Sequence, residues 1–230
     1  MSSTSAAQKR TMGWEYRVFF RAPPSSRACP EAGDGEAEAR TDVYLPHSAS
    51  VGVKHRGGGG LELKLRREVD ERGFEKWEKF RVADAAELEA QLAGEGFPPL
   101  PSACAVHLTK HRRQKVKSSG AAEETAVTLR FDDDHAPARA SLASVAGASS
   151  QGPVEEWRSI AVEGKRKKCG ELAEQLLSRL SALGATDVVV CGYAEFVVAR
   201  VAAQRPSSQT AARTQPAQAA VEAGAEVLAS

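Results

Sequence analysis

The fold follows from a six-residue stretch, Leu61-Glu62-Leu63-Lys64-Leu65-Arg66, in which every odd position is leucine and every even position is charged. Alternation with a period of two is typical of a β-strand that buries one face. A second alternating run, Val51-Gly52-Val53-Lys54-His55-Arg56, precedes it across the four glycines at 57–60. Two such runs joined by a glycine-rich loop predict a β-hairpin.

Strand patterns recur along the chain and alternate with two helix patterns. Asp84 and Glu87 form a capping pair that begins the first helix, which Gly94 and the following prolines end. The second helix is predicted over 167–183, where leucines recur on one face. The further predicted strands cover residues 14–20, 74–82, 104–117, 125–132 and 157–163, and an apolar run at 187–201 predicts a buried strand.

This count gives an α+β fold of about eight strands with two or more packing helices. The strands are sequential and compatible with antiparallel pairing. An antiparallel sheet must protect its edges, and closure into a barrel removes them. We therefore expect a closed or nearly closed antiparallel β-barrel with a tunnel through it.

Composition excludes several classes of protein. The chain has 230 residues, of which 42% are apolar, and its net charge of +1 gives no global attraction for nucleic acid or acidic partners. No segment approaches the roughly 18 apolar residues of a membrane helix, which predicts a soluble protein without a membrane partner. The four cysteines have no zinc or disulfide spacing and predict reduced thiols in a cytoplasmic compartment.

Composition also predicts one folded domain, residues 13–201. Residues 1–12 are expected to form a disordered arm, and residues 136–153 a disordered internal loop. A tail over residues 203–230, rich in Ala, Gln and Ser, completes the chain. None of these three segments has the apolar content to form a core.

Charged residues fall on one face of nearly every predicted strand. Such a face is either solvated, which is usual for an antiparallel sheet, or it lines the interior of the barrel. Alternation leaves both orientations open, since it shows which residues share a face but not which face is wet. Pairs of Arg and Lys at alternate positions favour the inward orientation, because guanidinium and ammonium groups bind phosphate oxygens.

The order of these strands resembles the CYTH superfamily, the triphosphate tunnel metalloenzymes. That family opens with a strand motif E-x-E-x-K, which is similar to Glu15-Tyr16-Arg17-Val18-Phe19. Basic pairs on successive strands are similar to Lys54 with Arg56 and Lys64 with Arg66. The later basic strand, acid-ended strand, E-x-E strand and S-Y-x-E-L motif of the family are similar to residues 109–113, 129–132, 160–163 and 192–196.

The resemblance implies a barrel that binds a triphosphate-bearing molecule or a polyphosphate in its lumen and hydrolyses it with Mg²⁺ or Mn²⁺. Glu15 and Glu163 would be catalytic, and together with Glu62 they would ligate the metal. Seven basic residues would bind the substrate phosphates: Arg17, Lys54, Arg56, Lys64, Arg66, Lys110 and Arg112.

Two departures from the family motifs bear on catalysis. Arg17 stands where the family has a second carboxylate, and the late E-x-E motif keeps only Glu163. The inward acids would then be Glu15, Glu62, Asp132 and Glu163, which predicts one metal rather than two. The alternative is a non-catalytic module with a degraded metal site that binds polyphosphate or a nucleic-acid 5′ end. A third interpretation is an open sheet whose charged faces are solvated.

Overall fold

The computed structural model describes residues 10–22, 38–57, 60–101, 105–117, 120–131 and 153–204. Eight antiparallel strands close into a barrel in the order β5-β4-β3-β2-β6-β7-β8-β1, because β1 also pairs with β5. The predicted α+β barrel is therefore confirmed. Its strands are β1 (Thr11–Arg21), β2 (Glu38–Ser48), β3 (Val51–Arg56), β4 (Leu61–Val69), β5 (Glu75–Val82), β6 (Val106–Lys117), β7 (Gly120–Phe131) and β8 (Val154–Gly164).

Three helices and a ninth strand accompany the barrel. They are α1 (Ala85–Gly94), α2 (Arg166–Ala182), β9 (Thr186–Val190) and α3 (Tyr193–Gln204). None of these helices is long and apolar enough to cross a bilayer. β1 begins inside the predicted arm, and α3 ends inside the predicted tail. Residues 1–9 of the arm, residues 136–152 of the predicted loop at 136–153 and residues 205–230 of the tail lie outside the described residues.

The prediction of a buried strand over residues 187–201 is wrong. Only the beginning of this run is a strand, and β9 is exposed along its length, while the remainder forms α3. Short apolar runs do not distinguish a strand from a buried helix. Here Ala194 and Val197, three positions apart, lie together on the buried face of the helix.

Two apolar clusters cover the outside of the barrel. Helix α1 contributes Leu88 and Leu92 to a cluster that contains the leucines of β4. Helix α2 contributes Leu176 and Leu180 to a second cluster on the outward residues of β1 and β8. The apolar strand faces therefore point outwards against helices, and the charged faces point inwards.

A third cluster fills one end of the barrel interior. This cluster contains Phe19 of β1, Leu108 of β6, Trp157 of β8 and Phe196 of α3. The rings of Phe19 and Phe196 stack with centroids 3.7 Å apart. The lumen is therefore closed by apolar side chains at the α3 end.

Gly57, at the end of β3, lies too close to β2 for a side chain. A Cβ there would lie 2.5 Å from the Thr41 carbonyl oxygen, whereas a Cβ at Gly60 would meet nothing within 4 Å. We expect Gly57→Ala to lower the free energy of unfolding by about 1–3 kcal/mol, because the backbone of β2 or β3 must move to make room for the methyl group. The control Gly60→Ala should change it by less than about 0.5 kcal/mol. Chemical denaturation of both variants is the measurement, and equal stabilities would contradict the close approach.

Candidate anion-binding site

A cavity of about 110 Å³ lies in the lumen between the charged strand faces. Eight basic and four acidic side chains line it, so positive charge is in excess. The basic residues are Arg17, Arg40, Lys54, Arg56, Lys64, Lys79, Lys110 and Arg112, and the acidic residues are Glu15, Glu62, Glu123 and Glu163.

Nearly all residues predicted for the site line this cavity. The exception is Arg66, whose Nη1 donates to Glu75 and to Glu195, each at 2.7 Å, and which is not part of the cavity wall. Asp132 lies outside the described residues. The structure thus brings the predicted residues together, while their roles in binding and catalysis stay predictions.

Arg17 lies between two acidic side chains at the centre of the lumen. Its Nε donates to Glu15 Oε1 at 2.9 Å, and its Nη1 donates to Glu123 Oε1 and to Ser159 Oγ, each at 3.1 Å. The Arg17 side chain is only 4% exposed and that of Glu15 3%. Arg17 and the two carboxylates therefore form one buried ionic network.

Opposing effects act on the ionisation of these two carboxylates. Burial raises the pKa of Glu15, but the charges of Lys64 and Arg17 outweigh burial and hold that pKa well below its usual value. The Lys64 Nζ donates to Glu15 Oε2 at 2.6 Å. Burial likewise opposes ionisation of Glu123, and the charges of Arg17 and Lys110 lower its pKa overall. Both carboxylates are consequently ionised at neutral pH.

Asp42 is fully buried and is shared by three basic side chains. Its Oδ1 lies 2.9 Å from Arg40 Nε, and its Oδ2 lies 3.0 Å from Lys110 Nζ and 3.5 Å from Lys54 Nζ. Burial opposes its ionisation, but Lys110 and Lys54 lower the pKa of Asp42 to about 2. Asp42 is therefore shared by Arg40, Lys54 and Lys110.

The remaining acidic residues lie nearer the open end of the lumen. The Glu163 Oε2 is 3.4 Å from Lys79 Nζ, and both side chains are 34% exposed. The Glu62 carboxylate lies 3.3 Å from Lys54 Nζ and 3.7 Å from an Arg56 Nη atom. An incoming anion would reach these residues first.

Aromatic rings form the floor of the lumen. The Tyr193 ring centroid lies 3.9 Å from Lys110 Nζ and 4.3 Å from Arg17 Cζ, and the Trp77 ring lies 4.7 Å from Lys64 Nζ. Such cation–π contacts stabilise positive charge away from bulk water. Helix α3 supplies Tyr193, so the element that closes the barrel also supports its cations.

Each of the three predicted metal ligands is paired with a basic side chain in this arrangement. Glu15 and Glu163 are direct cross-strand partners on β1 and β8, as a shared metal requires. However, lysine or arginine already neutralises Glu15, Glu62 and Glu163. Within the described ranges, no three His, Cys, Asp or Glu side chains group as metal ligands would. Arg17 and Lys64 supply positive charge next to Glu15, where a metal would otherwise supply it.

Sequence reasoning missed several residues of the site. It limited the inward acids to four, whereas Asp42 and Glu123 also point inwards. Asp42 was missed because the whole of β2 was missed. Glu123 was missed because β7 begins at Gly120, five residues before the predicted strand. The alternation of Glu38, Arg40 and Asp42 was the available signal.

Comparisons with known proteins identify no family for this chain. No protein-family model matches the chain, and no curated protein matches it. Among solved structures, the PH1819 protein from Pyrococcus horikoshii OT3 aligns with a TM-score of 0.45 and 15% sequence identity. That alignment covers 81% of this chain and 99% of the other.

Proposed function

We propose that this protein binds a triphosphate-bearing molecule or an inorganic oligophosphate in the lumen of its barrel, without needing a divalent metal. The observation that carries the proposal is the lining of the cavity, in which eight basic side chains face four acidic ones. A cavity with an excess of one charge sign attracts oppositely charged ligands. Phosphate oxygens suit arginine and lysine donors in particular.

The arrangement of ion pairs explains how the lumen accepts an anion. Three basic side chains surround Asp42, and phosphate oxygens can accept from those of their N–H groups that Asp42 does not use. Arg17 keeps two further N–H groups beyond its bonds to Glu15, Glu123 and Ser159. The lumen carboxylates are already neutralised by basic side chains. Phosphate binding therefore does not require a metal that would neutralise them.

Titration with tripolyphosphate tests this proposal. We expect tripolyphosphate to bind in EDTA, with no divalent metal present, because protein cations and not a metal bind the phosphates. A requirement for Mg²⁺ would contradict metal-independent binding. Adenosine triphosphate and a 5′-triphosphorylated oligonucleotide, titrated in the same way, would show which group carries the triphosphate.

A metal-dependent triphosphate hydrolase is the second candidate. The cross-strand pairing of Glu15 with Glu163 favours it, because it places two carboxylates on one face. Phosphate release from tripolyphosphate, ATP and thiamine triphosphate with Mg²⁺ or Mn²⁺ is the measurement. If the activity belongs to this site, Glu163→Ala abolishes the release; a rate unchanged in Glu163→Ala would exclude it.

A further inference from the structure

Lys110 differs from the other lysines of the lumen in its surroundings. Its side chain is 4% exposed, and its Nζ lies 3.0 Å from both Asp42 Oδ2 and Tyr44 Oη. The rings of Tyr44 and Tyr193 flank it, with centroids 4.8 Å and 3.9 Å from Nζ. This amine therefore lies in a nearly dry pocket, in contact with a hydroxyl group that can exchange a proton with it.

The charges around Lys110 disfavour its ammonium form. Asp42 alone directly balances it and is shared with Lys54 and Arg40. Burial and the neighbouring charge of Lys54 lower the pKa of Lys110 well below its usual value, against the opposing effect of Asp42. Lysines that are desolvated next to another cation are the ones that act as amine nucleophiles. The groups that face it are Asp42 and Tyr44 of β2, Lys54 of β3, Arg17 of β1, Glu123 of β7 and Tyr193 of α3.

The same lumen offers donors for phosphate within a small space. A cavity of about 110 Å³ has room for a phosphate with a few attached carbons. We propose that Lys110 forms an imine with a small phosphorylated aldehyde, whose phosphate is bound by the other basic side chains of the lumen. This inference rests on the proposed phosphate binding. It adds a covalent bond between the ligand and Lys110 at the floor of the lumen.

The step is a condensation in which atoms and protons balance. The Lys110 Nζ lone pair adds to the aldehyde carbon, and a proton moves from nitrogen to the former carbonyl oxygen. The resulting carbinolamine then loses water, so that the aldehyde oxygen leaves and a C=N bond forms. Burial raises the pKa of Tyr44 well above its usual value. Its hydroxyl therefore stays protonated and can donate to the leaving oxygen.

The test uses the full chain, glycolaldehyde phosphate as the probe and borohydride to reduce the imine to a stable secondary amine. Peptide mass spectrometry then locates the modified lysines. We expect Lys110 to be the main site, with modification of Lys79 lower by about tenfold or more. Lys79 is the matched comparison because it lines the same cavity, yet its pKa is raised, with the charges of Glu163 and Glu15 outweighing burial. Lys110→Arg, checked for folding by its melting curve, should lose the main adduct.

Two further labelling arms, together with the tripolyphosphate titration, separate this inference from the proposed function. Tripolyphosphate should protect Lys110, and glycolaldehyde without phosphate should modify it at least about tenfold less, as expected if phosphate binding guides the reagent. Modification spread equally over Lys79, Lys64 and exposed lysines, or equal labelling by glycolaldehyde, would overturn the inference. Wild-type protein that binds tripolyphosphate but yields no Lys110 adduct overturns the inference and leaves the proposed function standing. If an adduct forms at Lys110 to the same extent with and without tripolyphosphate, the proposed function is overturned.

Discussion

Arg17→Met lowers the free energy of unfolding by about 3–5 kcal/mol at pH 7, the loss expected when one partner of a buried ionic network is removed. Glu123 then loses its nearest cation, and Glu15 keeps only Lys64 in close contact. Neither carboxylate can move into water, because both are buried. Urea denaturation of the variant and of wild type measures the difference.

The loss depends on pH in a defined direction. Burial raises the pKa of a carboxyl group, and in wild type the charge of Arg17 opposes this effect. Without that charge, the pKa values of Glu15 and Glu123 in the folded state are higher than in wild type. A carboxyl whose pKa is raised in the folded state favours folding at low pH and opposes it as pH rises. The difference from wild type should therefore shrink as the pH is lowered from 7. The double variant Arg17→Met with Glu123→Gln should recover part of the loss.

An exposed arginine provides the control for this prediction. Arg113 lies on β6 with its side chain in solvent, and Arg113→Met should change stability by less than about 0.5 kcal/mol. If Arg17→Met were as mild as this control, the central network would not be ionised and buried as described.

The second prediction is that tripolyphosphate stabilises the folded protein. A ligand that binds only the folded state, at a hundred times its dissociation constant, adds about 2.7 kcal/mol to the free energy of unfolding. For a chain of this length the melting temperature should rise by roughly 5–11 °C. The expected rise is the same in EDTA. Chloride at matched ionic strength is the control, because it tests screening without a polyanion.

A rise that follows ionic strength alone would contradict specific binding. A rise that appears only with Mg²⁺ would instead favour a metal-dependent site at Glu15 and Glu163. A melting temperature unchanged by any phosphate compound would contradict ligand binding in the lumen altogether.

The barrel could be predicted because its strands alternate strongly. In Leu61–Arg66 each leucine has a charged neighbour, and the structure places those leucines under α1 with Glu62 and Lys64 in the lumen. The orientation could not be derived from alternation, because alternation is symmetric between the two faces. The orientation is decided by the helices, which cover the leucines on the outside of the barrel.

The residues that were missed belong to elements with weak local patterns. Strand β2 contains a proline and has only three consecutive apolar residues, Val43 to Leu45. Its stability comes from pairing with β3 and β6, which are distant contacts that local propensity does not report. Asp42, Arg40 and Tyr44 were lost with it. Tyr193 was placed in a strand, so its position on the floor of the lumen could not be anticipated.

The most direct test of phosphate binding inside the barrel compares one lysine of the lumen with one on the outer surface. Lys54 lines the cavity, whereas Lys167 is exposed on α2. We predict that Lys54→Met weakens tripolyphosphate binding by about tenfold or more, the effect of losing one hydrogen bond to a charged group. Lys167→Met should leave the dissociation constant unchanged at fixed ionic strength. Equal, small effects of both variants would show that phosphate binds to general surface charge and would contradict a site in the lumen.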